Sequence, residues 1–292
     1  MDPRGSVVRR LALAAIGSAA LAAIVPPGSA RAQEPAPGHR DTLEVRHALR
    51  YGPSPQAELD VYRRRVRGSV PAAAVLVVHG GGWRYGDKRR MVGVSRALAQ
   101  AGFVAFNVNY TLASWARPGF RRQPAELSLA AGWIRRNAGR FGVDPTRLGA
   151  LGSSAGGHLV ALLAMANRGP LRAGARVRAA VTWSAPFDLV RPEQPGLAPA
   201  IDSFLGCALR PCALRRAVAS PVNHATPDDP PLLIVNSARE LVPIGQATEM
   251  AGRLRLAGVA HRLWILPGRR HARSYSTTAL GPSIDFLRSR LR

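Results

Sequence analysis

Residues 148 to 158 read LGALGSSAGGH, and Gly152-Ser153-Ser154-Ala155-Gly156 within them is a G-x-S-x-G pattern. A short apolar run precedes it and an Ala/Leu-rich segment follows. A chain that turns sharply from strand into helix at such a site holds the serine hydroxyl at its apex, where a nucleophile is needed. Small residues at 152 and 156 permit the tight backbone. The first N–H groups of the following helix then face any negative charge that develops beside the serine. The same five residues can also be no more than a Gly-rich helix start, so the pattern needs support from the rest of the chain.

Upstream, Ala73 to Val78 is a continuous apolar run, as expected of a buried parallel strand. It ends in His79-Gly80-Gly81-Gly82-Trp83. Consecutive glycines let a backbone pass close to a ligand with its N–H groups turned inward. Gly81, Gly82 and the N–H of Ala155 are therefore the expected oxyanion donors. Removing one such donor costs about 3 to 4 kcal/mol of transition-state stabilisation. A plain glycine turn is the alternative.

A nucleophilic serine needs a base. Residues 260–266 read as a strand that leads into Pro267-Gly268-Arg269-Arg270-His271. A histidine in a loop after the last strand fits the chain order serine, acid, histidine, and makes His271 the expected base. Of the seven histidines, His79 belongs to the glycine loop and His158 lies one helical turn behind the serine. His39 and His47 precede the core, His224 sits in a polar loop, and His261 opens a strand.

With the Ser154 elbow, the HGGGW loop and His271 in this order, the chain resembles the α/β-hydrolase superfamily. More narrowly it is similar to the esterase branch with an HGGGW loop, which is hormone-sensitive-lipase-like and feruloyl-esterase-like. Leu59-Asp60-Val61-Tyr62 resembles an early strand of that family, and Phe141 to Leu148 resembles its lead into the elbow strand. The resemblance implies structural rather than catalytic roles for Asp144 and Arg147. It departs at the acid. The family's aspartate stands three residues before the Val of a Val-Pro turn, where this chain has Arg239 in Asn236-Ser237-Ala238-Arg239-Glu240-Leu241-Val242-Pro243. A guanidinium cannot accept the imidazole Nδ1–H bond. Glu240, one residue on, is the expected acid. The competing readings are a solvated Glu240 or another carboxylate. Asp188 follows a neighbouring strand, and Glu126 reads as a structural partner on a helix.

Strand-like runs fall at 42–49, 59–63, 73–78, 103–109, 148–152, 179–183, 231–236 and 260–266, and helix-like segments at 91–101, 124–139, 155–167, 244–257 and 282–291. Alternation of the two implies an α/β class, with a mostly parallel central sheet covered by helices on both faces. Candidate site residues then sit at the carboxyl ends of strands. The longest irregular stretch, Arg191 to Asp229, is expected to line or cover the pocket.

The N-terminus reads differently. Arg9-Arg10 precede the apolar stretch Leu11 to Val25, and Ser29-Ala30-Arg31-Ala32 offers an A-x-A cleavage site. Residues 1–32 are thus expected to be a secretory signal peptide, 33–41 a linker, and 42–292 an α/β-hydrolase domain. The apolar run is shorter than a membrane span, so no stable span is expected after cleavage. In an exported protein, two cysteines at 207 and 212 favour a local disulfide, with free thiols or a metal site as alternatives.

The chain carries 41 Lys+Arg against 17 Asp+Glu, a net +24. Lys88 is its only lysine, and the arginines are scattered over every segment rather than gathered in a stripe. That pattern argues for compositional bias over nucleic-acid binding. Such a surface would still attract anionic lipids, wall polymers or acidic polysaccharides. The resemblance implies a serine carboxylesterase with no metal or organic cofactor; the N-terminal segment adds a secreted or periplasmic location, and the short 191–229 insert adds small or soluble esters. The alternative is a hydrolase-fold protein with a degraded triad that binds anionic surface polymers or a protein partner.

Overall fold

Strict alternation along the apolar strands builds a sheet that is buried on both sides. In β3 (Ala72–Val78), Ala74, Leu76 and Val78 join one core cluster, and Ala73, Val75 and Val77 join the other. The period of two along a strand sends neighbouring side chains to opposite faces. The computed structural model describes residues 43–65, 70–170, 173–190, 196–207 and 212–292. The expected signal peptide (1–32) and linker (33–41) lie outside the described residues.

Eight strands form one sheet in the order β1-β2-β4-β3-β5-β6-β7-β8. β1 (Leu43–Arg50) and β2 (Glu58–Arg64) are antiparallel to their neighbours. β3, β4 (Val104–Val108), β5 (Val143–Ser153), β6 (Ala179–Trp183), β7 (Leu232–Ser237) and β8 (His261–Leu266) run parallel. One face packs on α1 (Val92–Gln100) through Val94 and Leu98, and on α8 (Ser276–Arg290) through Ala279 and Leu287. The other packs on α2 (Arg122–Arg136), α4 (Ala155–Ala166) and α7 (Ile244–Leu256), through Leu127, Leu159 and Met250 among others. This is the α/β-hydrolase architecture, a mostly parallel sheet with helices on both faces.

Three local readings change. α8 begins at Ser276 rather than at 282, with Pro282 inside the helix. A proline there forfeits one helical hydrogen bond, so the pattern alone favours a start at the proline. The 124–139 segment is two helices, α2 and the short α3 (Ala138–Phe141). The stretch from 191 to 229 contains α5 (Ala198–Leu205), α6 (Ala213–Val218) and a 3-10 turn at Pro221–Asn223. Cys207 and Cys212 form a disulfide between α5 and α6. No described helix is long and apolar enough to cross a membrane.

Candidate active site

β5 ends at Ser153 and α4 begins at Ala155, so Ser154 alone makes the turn between them. Its backbone has φ 55° and ψ −122°, a strained conformation for a residue with a side chain. The turn is held from below by close approach. A Cβ on Gly156 would collide with the carbonyl oxygens of Val78 and His79, and one on Gly152 with that of Gly156. The glycines at 152 and 156 therefore let the elbow sit against the end of β3.

The glycine loop after β3 is anchored to the elbow helix by its tryptophan. Trp83 Nε1–H donates to His158 Nδ1 at 3.1 Å, and His158 Nε2 lies 2.8 Å from Ala219 O. Only the neutral Nε2–H tautomer satisfies both partners. Burial pushes the His158 imidazole down to about 4, so it remains neutral near pH 7. The Trp83 ring also stacks on Phe204 of α5, with centroids 4.9 Å apart. Burial lowers His79 to about 4 as well; its ring stacks on Tyr110 at 4.3 Å. Gly81 and Gly82 both have positive φ, at 133° and 55°, and both line the cleft that Ser154 enters. Among the described residues, no backbone acceptor takes the N–H of Gly81, Gly82 or Ala155. Ala155 opens α4, where first-turn N–H groups have no acceptor inside the helix.

His271 follows β8 in the loop that precedes α8. Its Nε2 lies 2.9 Å from Ser154 Oγ, and its Nδ1 is hydrogen-bonded to Glu240 Oε2. The structure thus brings Ser154, His271 and Glu240 into one hydrogen-bonded chain. Arg239 is exposed, and its N–H donates to Gly268 O at 3.0 Å. Ser237 Oγ donates to Arg270 O at 2.6 Å. These bonds stitch the loop of the acid to the loop of the histidine, and the longer glutamate side chain reaches back to the imidazole. The Glu240 side chain is fully buried.

Two residues of this site had no sequence signal. Ser184, immediately after β6, donates from Oγ to Glu240 Oε1 at 2.7 Å and accepts the Ala272 N–H at 2.8 Å. The Tyr275 hydroxyl lies 2.7 Å from Ser184 Oγ and 3.0 Å from Val235 O. Burial pushes the Tyr275 phenol far above its usual range, so it stays protonated. Ser237 N–H also donates to Glu240 Oε1, at 2.8 Å. The carboxylate is thus held by three donors, and Ser184 ties it to the backbone beside His271.

The other candidates lie elsewhere in the hydrogen-bond network. Asp188 accepts the Val190 N–H at 2.7 Å, and Gln246 bonds the backbone on either side of it. Glu126 accepts from the Thr111 N–H and hydroxyl. Asp144 takes Thr146 N–H and Arg147 Nε, closing the turn before the central part of β5. The cleft over Ser154 holds about 360 Å³ and is lined by the glycine loop, Leu197, Leu241 and the His271 loop. Leu197 immediately precedes α5, so the 191–229 stretch does contribute to the cleft wall.

Fold and site together define a serine hydrolase of the α/β-hydrolase class. Residues 59–254 match the BD-FAE family, and the chain belongs to it. Esterase LipC of Mycobacterium tuberculosis is 29% identical over 280 residues, covering 88% of this chain and 69% of that protein. The probable carboxylic ester hydrolase LipM of the same organism is 29% identical over 210 residues, covering 68% of this chain and 48% of its own. The chain thus spans about half to two-thirds of the length of these relatives. Among solved structures, a truncated carbohydrate esterase from gut microbiota superposes with a TM-score of 0.75 at 21% identity, covering 86% of this chain and 98% of that one. That likeness is one of fold.

Proposed function

We propose that the chain is an exported serine carboxylesterase whose triad is Ser154, His271 and Glu240. The observation that carries this reading is the continuous chain of hydrogen bonds from Ser154 Oγ through His271 to Glu240. Ser154 Oγ attacks the ester carbonyl while His271 Nε2 takes its proton. The N–H groups of Gly81, Gly82 and Ala155 hold the oxyanion of the tetrahedral intermediate. Collapse expels the alcohol, which takes the proton from His271, and leaves an acyl-Ser154. Water then adds to the acyl carbon with His271 as base. The second collapse releases the acid and returns the proton to Ser154. Glu240 keeps the imidazole in its Nδ1–H tautomer and stabilises the imidazolium in both halves of the cycle.

A cleft of about 360 Å³ suits small or soluble esters rather than long acyl chains. Export is read from Arg9-Arg10, the apolar stretch to Val25 and the site at Ala32. The direct test is labelling by a fluorophosphonate probe. Wild-type protein is expected to label at Ser154 and Ser154→Ala to stay unlabelled. Absence of label on folded wild type would end the esterase reading. N-terminal sequencing of protein recovered from the culture medium or periplasm is expected to begin at Gln33.

A further inference from the structure

Arginine is everywhere on this chain, so place relative to the cleft discriminates better than number. Away from the cleft, some guanidiniums meet a carboxylate and others do not. Arg63 bonds Glu44, Arg147 bonds Asp144, Arg168 bonds Asp229, and Arg288 bonds Asp285. What sets the loops of the acid and the base apart is their place beside the cleft. They present Arg239, Arg269, Arg270 and Arg273, all exposed. Among the described residues, none of these four guanidiniums bonds a carboxylate. The single carboxylate in the two loops is Glu240, which is buried and committed to His271, Ser184 and Ser237. Arg90, in the 3-10 turn before α1, is exposed and likewise free of a carboxylate partner among the described residues. Arg90 and Arg273 line the cleft beside Ser154 and His271, and no Asp or Glu lines it.

We propose that this cleft selects esters that carry a second, ionised group, a carboxylate or another oxyanion, which Arg90 and Arg273 receive while the ester carbonyl sits over Ser154. The inference rests on the esterase reading above and adds the charge of the substrate. A cleft lined by one sign of charge raises the local concentration of the opposite ion. A guanidinium is suited to an oxyanion because its N–H groups form a planar fork. The apolar Leu197, Leu241 and Met91 leave room for the uncharged part of such a molecule.

The test compares matched pairs of esters. On the acyl side, the p-nitrophenyl half-ester of glutaric acid is set against p-nitrophenyl pentanoate. On the alcohol side, p-acetoxybenzoate is set against its methyl ester. In at least one pair the ionised ester is expected to show about tenfold higher kcat/KM at low salt. That preference should shrink as ionic strength rises from about 0.01 M to about 1 M and the Debye length falls from ~30 Å to ~3 Å. The Arg90→Gln/Arg273→Gln variant is expected to lower the ionised-to-neutral ratio of the same pair by a similar factor. Comparing ratios between wild type and variant cancels the intrinsic reactivity of each ester. The responding pair tells whether the anion sits on the acyl or the alcohol side. Hydrolysis of all four esters with ratios that neither salt nor the variant changes would overturn the inference and leave the esterase reading standing. No hydrolysis of any ester would overturn both.

Discussion

Glu240 reaches His271 Nδ1 from one position beyond the place where the family pattern puts its acid, and the residue in that place, Arg239, faces solvent. The shift is tolerated because the loop is fixed by other bonds. Arg239 N–H to Gly268 O and Ser237 Oγ to Arg270 O hold the two loops together. The additional methylene of glutamate then supplies the reach that an aspartate at 239 would not need.

Ser184 is expected to be a positioning residue for that acid. It is buried, and its hydroxyl bonds both Glu240 Oε1 and the backbone N–H that follows His271. A hydrogen bond to a charged group contributes about 1.5 to 3 kcal/mol. Ser184→Ala should therefore lower kcat by roughly tenfold to a hundredfold with KM little changed, since the bond steadies the imidazolium and not the bound ester. Steady-state kinetics on p-nitrophenyl butyrate would check this. A variant that raises KM and spares kcat would exclude the positioning role.

The glycine loop makes a backbone prediction. Gly81 has φ 133°, and a Cβ there would run into the carbonyl of Tyr85. Gly81→Ala should displace the oxyanion donors and lower kcat by about 10²- to 10³-fold. Gly93→Ala is the control, because a Cβ at that α1 position meets nothing within 4 Å. It should preserve activity and raise stability by about 0.5 to 1 kcal/mol, as a Gly to Ala change in a helix does. Equal activity in both variants would contradict the role given to the loop.

Stability should depend on pH through the buried histidines. His79 and His158 are both held near 4 by burial, below the unfolded value of about 6.5. Their folded-state values are depressed, so the unfolded chain binds protons first as the pH falls. Their contribution is fully present above about 6.5, is lost between 6.5 and 4, and changes little below that. Tm measured from pH 7.5 to pH 4 should fall through this window. His158→Gln should flatten the slope, at the cost of a lower Tm at neutral pH where the bonds to Trp83 and Ala219 are lost. An unchanged slope in that variant would assign the acid sensitivity elsewhere.

Much of the fold was legible because its strands are buried on both faces. Runs such as Ala73 to Val78 and Pro231 to Asn236 stand out as apolar blocks, and each of the eight expected strands has its counterpart. The elbow and the glycine loop were visible because their turns demand particular residues at particular spacings. What stayed hidden depends on tertiary approach. Ser184 and Tyr275 are 91 positions apart, and nothing in Ser184-Ala185-Pro186-Phe187-Asp188 announces a bond to Glu240. Trp83 and His158 meet across 75 positions in the same way. α5 and α6 leave no helical pattern in the sequence because their surroundings are rich in proline and arginine. The first turns of α8 are hidden because Pro282 resembles a first-turn residue more than an interior one.

The central claim is that the acid has moved to Glu240, and the most direct measurement is p-nitrophenyl acetate hydrolysis by wild type, Ser154→Ala, Glu240→Gln and Arg239→Asp. With Glu240 as the acid, wild type should be far faster than Ser154→Ala, and Glu240→Gln should be reduced in kcat by about 10⁴-fold, the scale on which loss of a triad carboxylate acts. Arg239→Asp should stay close to wild type. A wild type no faster than Ser154→Ala but rescued by Arg239→Asp would contradict it, and would mark the triad as decayed at position 239.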